Sequence, residues 1–172
     1  MRKTTPLSAA AVLFGLAAGA ASAAPPREIH LAVVACKSHL LEETTVLLKS
    51  AAVLTRAPLA VHVFADGPFR TRLGESLQAW PERVRSRVRL DFHEVAAPCA
   101  DQRLSLPATL EDTDRVIAVD TDVVFLRPLD DLWRLFDGFE PAQLSAAAAG
   151  LRLLDLAKIR AAGGPPRPDA TL

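Results

Sequence analysis

The chain has 172 residues without a tyrosine or an asparagine, and it has only two cysteines. The absence of asparagine excludes an N-x-S/T acceptor for N-glycosylation. Cys36 and Cys99 form neither a C-x-x-C pair nor the Cys/His spacing of a zinc module, which excludes a disulfide framework and a structural zinc domain. The length is that of one domain with its own hydrophobic core.

An excess of charge of either sign is also missing, since 20 Lys and Arg residues balance 20 Asp and Glu residues. No overall field favours nucleic acid or an anionic membrane surface, so an anionic ligand needs a local site. Four arginines alternate with other residues in RVRSRVRLDF, Arg83–Phe92. This period of two predicts a half-buried strand with a solvated face. Aromatic residues are not interleaved for base stacking, and we predict no nucleic-acid partner.

Residues 1–26 have the features of a targeting segment, because Arg2 and Lys3 precede the charge-free run LSAAAVLFGLAAGAASAA at residues 7–24. Two interpretations remain open. The run is a signal peptide cleaved after the small residues 21–23, or it is a signal anchor near the minimum span of about 17 residues, with its basic end in the cytoplasm. Either interpretation places the rest of the chain in the lumen of the endoplasmic reticulum or Golgi, on a single type II membrane anchor, or secreted after cleavage.

Apolar strand-like runs alternate with amphipathic helical runs after Pro26. This order predicts an α/β domain over residues 27–160, with a mainly parallel sheet and helices on both faces. Residues 161–172 are rich in Gly and Pro and are predicted to be disordered. The predicted strands are Ile29–Ala35, Leu59–Asp66, Arg115–Val119 and Leu151–Leu156, with a turn at Asp66–Pro68 and helices over Leu41–Ala52, Thr71–Ala79 and Pro98–Leu110, the last disturbed by Pro107.

The Asp-x-Asp motif at Asp120 and Asp122 follows the apolar run that ends in Val119. Burying an uncompensated carboxylate is costly, and a shared divalent cation removes this cost. Mg²⁺ and Mn²⁺ prefer carboxylate and phosphate oxygens and stabilise a departing diphosphate as Lewis acids. The motif therefore predicts a metal site for a nucleotide phosphate, with Arg103 on the preceding helix as a phosphate ligand.

Ligands of parallel α/β sheets bind outside the carboxyl ends of the strands. The segments Ala35–Cys36, Ala65–Asp66 and Asp120–Asp122 are at such ends and are predicted to converge on one crevice. A different hypothesis is a haloacid-dehalogenase-type phosphatase, with Asp120 as nucleophile and Asp122 as acid/base. That motif normally ends the first strand of its domain, whereas several strands and helices precede it here.

Three blocks of the sequence resemble the glucoside xylosyltransferases, which are in the glycogenin-like group of retaining glycosyltransferases. The likeness runs from His30 to Ala146 almost without a break. The blocks are HLAVVACKSHLLEETTVLLKSA (30–51), HVFAD (62–66) and PCADQRLSLPATLEDTDRVIAVDTDVVFLRPLDDLWRLFDGF (98–139).

The resemblance implies a type A glycosyltransferase fold, with a Rossmann-like, mainly parallel sheet that is incomplete at the C-terminus, and a nucleotide-sugar donor used with Mn²⁺. It implies transfer of xylose from UDP-xylose to an O-linked glucose on EGF-like repeats, as an α1,3 bond with retention. Asp120 and Asp122 would hold Mn²⁺, and with Thr121 between them would contact the donor. Arg103 would contact the donor phosphates or sugar. Ala35 and Cys36 would line the uridine pocket, although Cys36 is equally interpreted as a small buried thiol.

The sequence departs from the family pattern after Ala146. An acceptor-facing segment is missing between Ala149 and Leu151, and so is the family's late histidine, the third metal ligand. None of His30, His39, His62 and His93 is in a position to replace it. We therefore expect a truncated, donor-binding part of the enzyme with weak or no activity. The alternative from another class is a non-catalytic lumenal fragment that binds a nucleotide or a partner protein.

Overall fold

A computed structural model of the chain describes residues 10–11, 28–35, 38–95 and 105–164. Short 3-10 helices cover Ser38–Leu40 and Arg134–Gly138. The strands are β1 (Ala10–Ala11), β2 (Ile29–Ala35), β3 (Leu59–Ala65), β4 (Val88–His93), β5 (Arg115–Val119), β6 (Val123–Val124), β7 (Ser145–Ala148) and β8 (Leu151–Asp155). The helices are α1 (Leu41–Leu54), α2 (Gly67–Gln78), α3 (Glu82–Arg85), α4 (Leu106–Thr109), α5 (Leu129–Trp133) and α6 (Leu156–Ala161).

Six strands form one sheet in the order β4-β3-β2-β5-β8-β7. β4, β3, β2 and β5 are parallel, whereas β8 is antiparallel to β5 and β7 is antiparallel to β8. β1 and β6 form a separate two-residue parallel ladder. The sheet is therefore mainly parallel, with two antiparallel pairings at one end, which confirms the predicted fold class.

Helices cover both faces of the sheet, so the central strands are apolar on both sides, as expected for a parallel sheet. All seven residues of β3 are buried. One face packs against α1, α2 and α5 in the larger cluster, and the other packs against α4 and α6 around Phe64 and Leu106. Each fully buried Leu or Phe side chain contributes about 1.5–3 kcal/mol to folding.

The segment Asp66–Pro68 is the start of a helix, and the predicted separate turn is wrong. The Asp66 carboxylate accepts a hydrogen bond of 2.8 Å from the Phe69 N–H and caps α2. Pro68 is in the first turn of the helix, where its missing N–H costs nothing. Pro107 is likewise in the first turn of α4, and residues 98–104 of the helix predicted over Pro98–Leu110 lie outside the described residues.

The alternating segment after Pro81 is also divided differently from the prediction. Glu82–Arg85 forms the short helix α3, with Val84 buried, and the strand begins only at Val88. Pro81 precedes the helical turn, and its carbonyl accepts hydrogen bonds from the Val84 and Arg85 N–H groups. The alternation of arginines with other residues therefore covers both a helix and a strand, and it does not indicate where the helix ends.

β7 and β8 form a tight hairpin, and residues 149 and 150 are its loop. Gly150 has φ of +70°, a left-handed conformation that costs glycine little. Only two loop residues therefore connect Ala148 to Leu151, where the family pattern implied a longer connection.

Candidate functional site

Asp120 is the first residue after β5, and the backbone holds it firmly in place. Its N–H donates a hydrogen bond of 2.8 Å to the Gly150 carbonyl, and its carbonyl accepts one of 3.3 Å from the Val123 N–H. Asp120 is half-buried, whereas Asp122 is exposed. The Asp-Thr-Asp segment is therefore a turn between β5 and β6, tied on one side to the β7–β8 hairpin.

The other side of this turn contacts α1. The Thr121 hydroxyl donates a hydrogen bond of 3.3 Å to the Glu43 carboxylate, which is in the first turn of the helix. A carboxylate in the first turn of a helix also interacts favourably with the helix dipole. The hydrogen bond between Glu43 and Thr121 joins residues that are far apart in the sequence, so no local sequence pattern indicates it. α1 and the hairpin thus hold the turn from opposite ends.

A cavity of about 120 Å³ lies next to Asp120, where β5, β7 and β8 meet. Gly150 is required there, because a Cβ at this position would be 2.8 Å from the Val123 Cγ2 and 3.6 Å from the Asp120 Oδ2. The cavity is lined by Ala118, Asp120, Ala147, Ala148, Gly150, Leu151 and Arg152. The carboxylate that the sequence singled out therefore faces a space that a small polar group can enter.

The three predicted strand ends do lie at one edge of the sheet, because β2, β3 and β5 are parallel and adjacent. Ala35 pairs with Ala65 at this edge, and Ala35 is fully buried in the core. The Asp66 carboxylate is used as the cap of α2. Cys36 and Arg103 lie outside the described residues, so their predicted roles stay predictions.

The donor set at the turn fits a hard divalent cation. Asp120 and Asp122 supply two carboxylates, and Mg²⁺ or Mn²⁺ is commonly bound by one or two carboxylates together with substrate phosphates. Within the described ranges, no group of three His, Cys, Asp or Glu side chains is arranged to hold a metal. The metal site at Asp120 and Asp122 therefore stays a prediction.

Three of the four histidines form a row across β2, β3 and β4 and contact one another. His30 Nδ1 is 3.0 Å from His62 Nε2, and His62 Nδ1 is 3.2 Å from His93 Nε2. Burial, together with the neighbouring His30 and His93 rings, lowers the pKa of His62 to about 4. Burial also lowers the pKa of His30 and of His93. These rings hydrogen bond within the sheet, and they belong to the packing of β2–β4.

No α-helix in the described part of the chain has the length and apolarity needed to cross a bilayer. The predicted leader at residues 1–26 lies outside the described residues except for Ala10–Ala11. The interpretations of that segment therefore stay predictions.

Known proteins with similar sequences include glucoside xylosyltransferases. Mouse glucoside xylosyltransferase 2 is 40% identical over 140 residues, which are 74% of this chain and 31% of the relative. The chain thus spans about a third of the length of the curated relatives that it matches. No protein-family model matches the chain. The resemblance predicted from the sequence blocks is confirmed over most of the chain.

Solved structures with a similar fold are glycosyltransferases. The apo form of mouse xyloside xylosyltransferase 1 superposes with a TM-score of 0.64 at 16% identity, covering 77% of this chain and 69% of that one. A mannosyltransferase from Pyrobaculum calidifontis, solved with GDP-Man and Mn²⁺, has a TM-score of 0.52 at 13% identity and covers 86% of this chain and 51% of that one. The fold is the type A glycosyltransferase fold, as predicted.

Proposed function

We propose that the chain is the donor-binding part of a glucoside xylosyltransferase. The reaction is transfer of xylose from UDP-xylose to an O-linked glucose on EGF-like repeats, with retention at the anomeric carbon and formation of an α1,3 bond. The observation that carries the proposal is the Asp-Thr-Asp turn, which lies at the carboxyl end of β5 with the Asp120 side chain facing a cavity. Support comes from the 40% identity to mouse glucoside xylosyltransferase 2.

Asp120 and Asp122 would hold Mn²⁺, and the two residues differ in how far they are buried. Asp120 is fixed by the Gly150 carbonyl and half-buried, so its carboxylate is pre-positioned, whereas Asp122 is exposed and able to follow the ligand. When bound, the metal would supply Lewis-acid stabilisation of the diphosphate leaving group. The Thr121–Glu43 hydrogen bond holds the turn that contains both carboxylates against α1. Fixing the turn before binding lowers the conformational entropy lost when the donor binds.

The compartment proposed for this activity is the lumen of the Golgi or endoplasmic reticulum. A type II anchor in residues 1–26, or secretion after cleavage, follows from the apolar run behind Arg2 and Lys3. N-terminal sequencing of the protein recovered from eukaryotic cells distinguishes the two, since an intact Met1 or Arg2 indicates the anchor. Recovery of uncleaved protein from the cytosol would contradict both.

Calorimetric titration of UDP, with and without Mn²⁺, tests the donor site. UDP is expected to bind only when Mn²⁺ is present, and Asp120→Asn or Asp122→Asn is expected to weaken binding by at least about 10-fold, because each removes a charged ligand. Asp112→Asn is the matched control, since Asp112 is exposed in the turn before β5. Equal UDP affinity of Asp120→Asn and the unsubstituted chain would refute the metal site.

A non-catalytic nucleotide-binding protein is the second candidate. Release of UDP from UDP-xylose separates the two, because binding without hydrolysis identifies the non-catalytic case. The phosphatase hypothesis has less support, because several strands precede Asp120 in the described part of the chain, whereas the phosphatase motif ends the first strand of its domain. Aryl phosphate hydrolysis that Asp120→Asn abolishes would restore it.

A further inference from the structure

Arg152 is the unusual side chain near the Asp-Thr-Asp turn. It is exposed on β8, and within the described residues its guanidinium makes no ion pair or hydrogen bond. Other arginines on this half of the molecule are engaged: Arg115 contacts Asp137 and Asp155, and Arg160 donates to three backbone carbonyls. Among the side chains that the structure describes, Arg152 is thus a cation without a partner in a region where the cations beside it have partners.

The sheet register explains why Arg152 has space around it. Arg152 pairs with Ala118 on β5 and with Ala147 on β7, so an alanine lies on each side of it across the strands. Side chains at paired positions point to the same face of a sheet. The two small neighbours leave a trough, and this trough is part of the cavity that Asp120 also lines.

The size of the cavity limits what can occupy it. Its volume of about 120 Å³ is below the roughly 300–1,000 Å³ of pockets that enclose whole ligands. A phosphate-sized group fits, whereas a nucleoside or a sugar must lie outside.

The charged side chains that line the cavity determine which kind of chemical group it can bind. Arg152 attracts an anion, and the guanidinium geometry matches two phosphate oxygens. The Asp120 carboxylate lines the same cavity, and a divalent cation bound to a carboxylate commonly binds substrate phosphate oxygens as well. A phosphate that a divalent cation bridges to Asp120 interacts favourably with both the Arg152 guanidinium and the Asp120 carboxylate.

We propose that Arg152 binds the phosphate-bearing end of the nucleotide-sugar donor, opposite Asp120. The inference rests on the proposed function, since it identifies a further ligand for the same donor. It gives a role to a charge on β8 that the Asp-x-Asp motif does not contain.

UDP, inorganic pyrophosphate and uridine, each titrated in the presence of Mn²⁺, test the inference. Arg152→Ala is expected to weaken binding of UDP and pyrophosphate about 10-fold to 100-fold, as for loss of a charged hydrogen bond, and to leave uridine unaffected. Arg152→Lys is expected to be intermediate, because lysine keeps the charge but not the bidentate geometry. Arg72→Ala is the matched control, since Arg72 is exposed on α2 and also lacks a partner among the described residues.

The outcomes separate this inference from the proposed function. If the unsubstituted chain binds UDP with Mn²⁺ and Arg152→Ala binds it equally well, Arg152 is a solvated surface residue and only this inference is overturned. If the unsubstituted chain binds neither UDP nor pyrophosphate, both are refuted. A melting temperature of Arg152→Ala equal to that of the unsubstituted chain shows that a loss of binding does not come from unfolding.

Discussion

At the scale of single residues, the row of His30, His62 and His93 makes the free energy of unfolding of the domain depend on pH. His62 is buried between His30 and His93, and the folded state holds its pKa at about 4, below the ordinary 6.5. The charged groups around the row are Arg89 and Asp91 from β4, Glu28 just before β2, and Arg70 from α2, and the Trp133 ring of α5 is near His30. Desolvation outweighs the nearby carboxylates, so the neutral rings are favoured.

We predict that the free energy of unfolding falls as the pH is lowered from about 7 to about 5, by about 1–2 kcal/mol from His62. The unfolded chain binds protons at its ordinary pKa, whereas the folded chain resists them, so protons favour unfolding in this range. Urea unfolding at the two pH values measures the change. His62→Gln removes the titrating ring and is expected to reduce the pH dependence.

His39 provides the control for this experiment, because it is exposed in the 3-10 helix before α1. His39→Gln is expected to keep the pH dependence of the unsubstituted chain. A pH dependence that His62→Gln leaves unchanged would show that the row does not control the acid stability of the domain.

At the scale of the elements, the β7–β8 hairpin is the feature that shapes the site. Gly150 has a positive φ and leaves no room for a Cβ beside Val123. We predict that Gly150→Ala lowers the free energy of unfolding by about 1–3 kcal/mol and weakens Mn²⁺-dependent UDP binding, because the Gly150 carbonyl accepts the Asp120 N–H. Urea unfolding and calorimetry measure the two effects.

Gly74→Ala is the matched substitution for comparison. Gly74 is within α2, and a Cβ there meets no atom within 4 Å. Alanine is expected to raise the free energy of unfolding by about 0.5–1 kcal/mol, since it is the better helix former. If both substitutions changed stability in the same direction, the positive φ of Gly150 and its close approach to Val123 would not control the stability of the hairpin.

The elements differ in how well the sequence predicted them. β2, β3 and β5 were predicted from continuous branched apolar runs, because burial on both faces leaves a strong signal. β7 was not predicted, since SAAA has no strand-forming residues and becomes a strand only by pairing with β8. Its conformation comes from tertiary pairing, which local propensity does not contain.

The candidate site shows the same limit. Asp120 and Asp122 were found because their motif is contiguous and follows an apolar strand. Glu43 and Arg152 were missed, since each is near Asp120 only through α1 packing or strand pairing. Charged residues on helices and strands are ordinarily solvated, so neither carried a signal in the sequence.

At the scale of the whole molecule, Asp130 joins two distant parts of the chain. Its buried carboxylate accepts hydrogen bonds of 2.9 Å from the Arg56 N–H and 3.3 Å from the Ala57 N–H. We predict that Asp130→Ala lowers the free energy of unfolding by about 2–3 kcal/mol, because two backbone N–H groups lose their acceptor. Asp130→Asn keeps one acceptor oxygen and is expected to lose less.

Asp131 is the adjacent control. It pairs with Arg127 and Arg134 near the surface, and such pairs contribute about 0–1 kcal/mol. Asp131→Ala is therefore expected to change stability less than Asp130→Ala in the same urea titration. Equal losses for the two variants would refute the structural role of Asp130.

The order of the strands has a consequence for how the chain is synthesised. β2 pairs with β3 early, but its other edge pairs with β5, where Leu31 meets Ile117 much later in the sequence. Until β5 leaves the ribosome, an apolar strand has an open hydrogen-bonding edge that other chains can join. Long-range parallel pairing is also slow, so this interval is when the nascent chain depends most on chaperones.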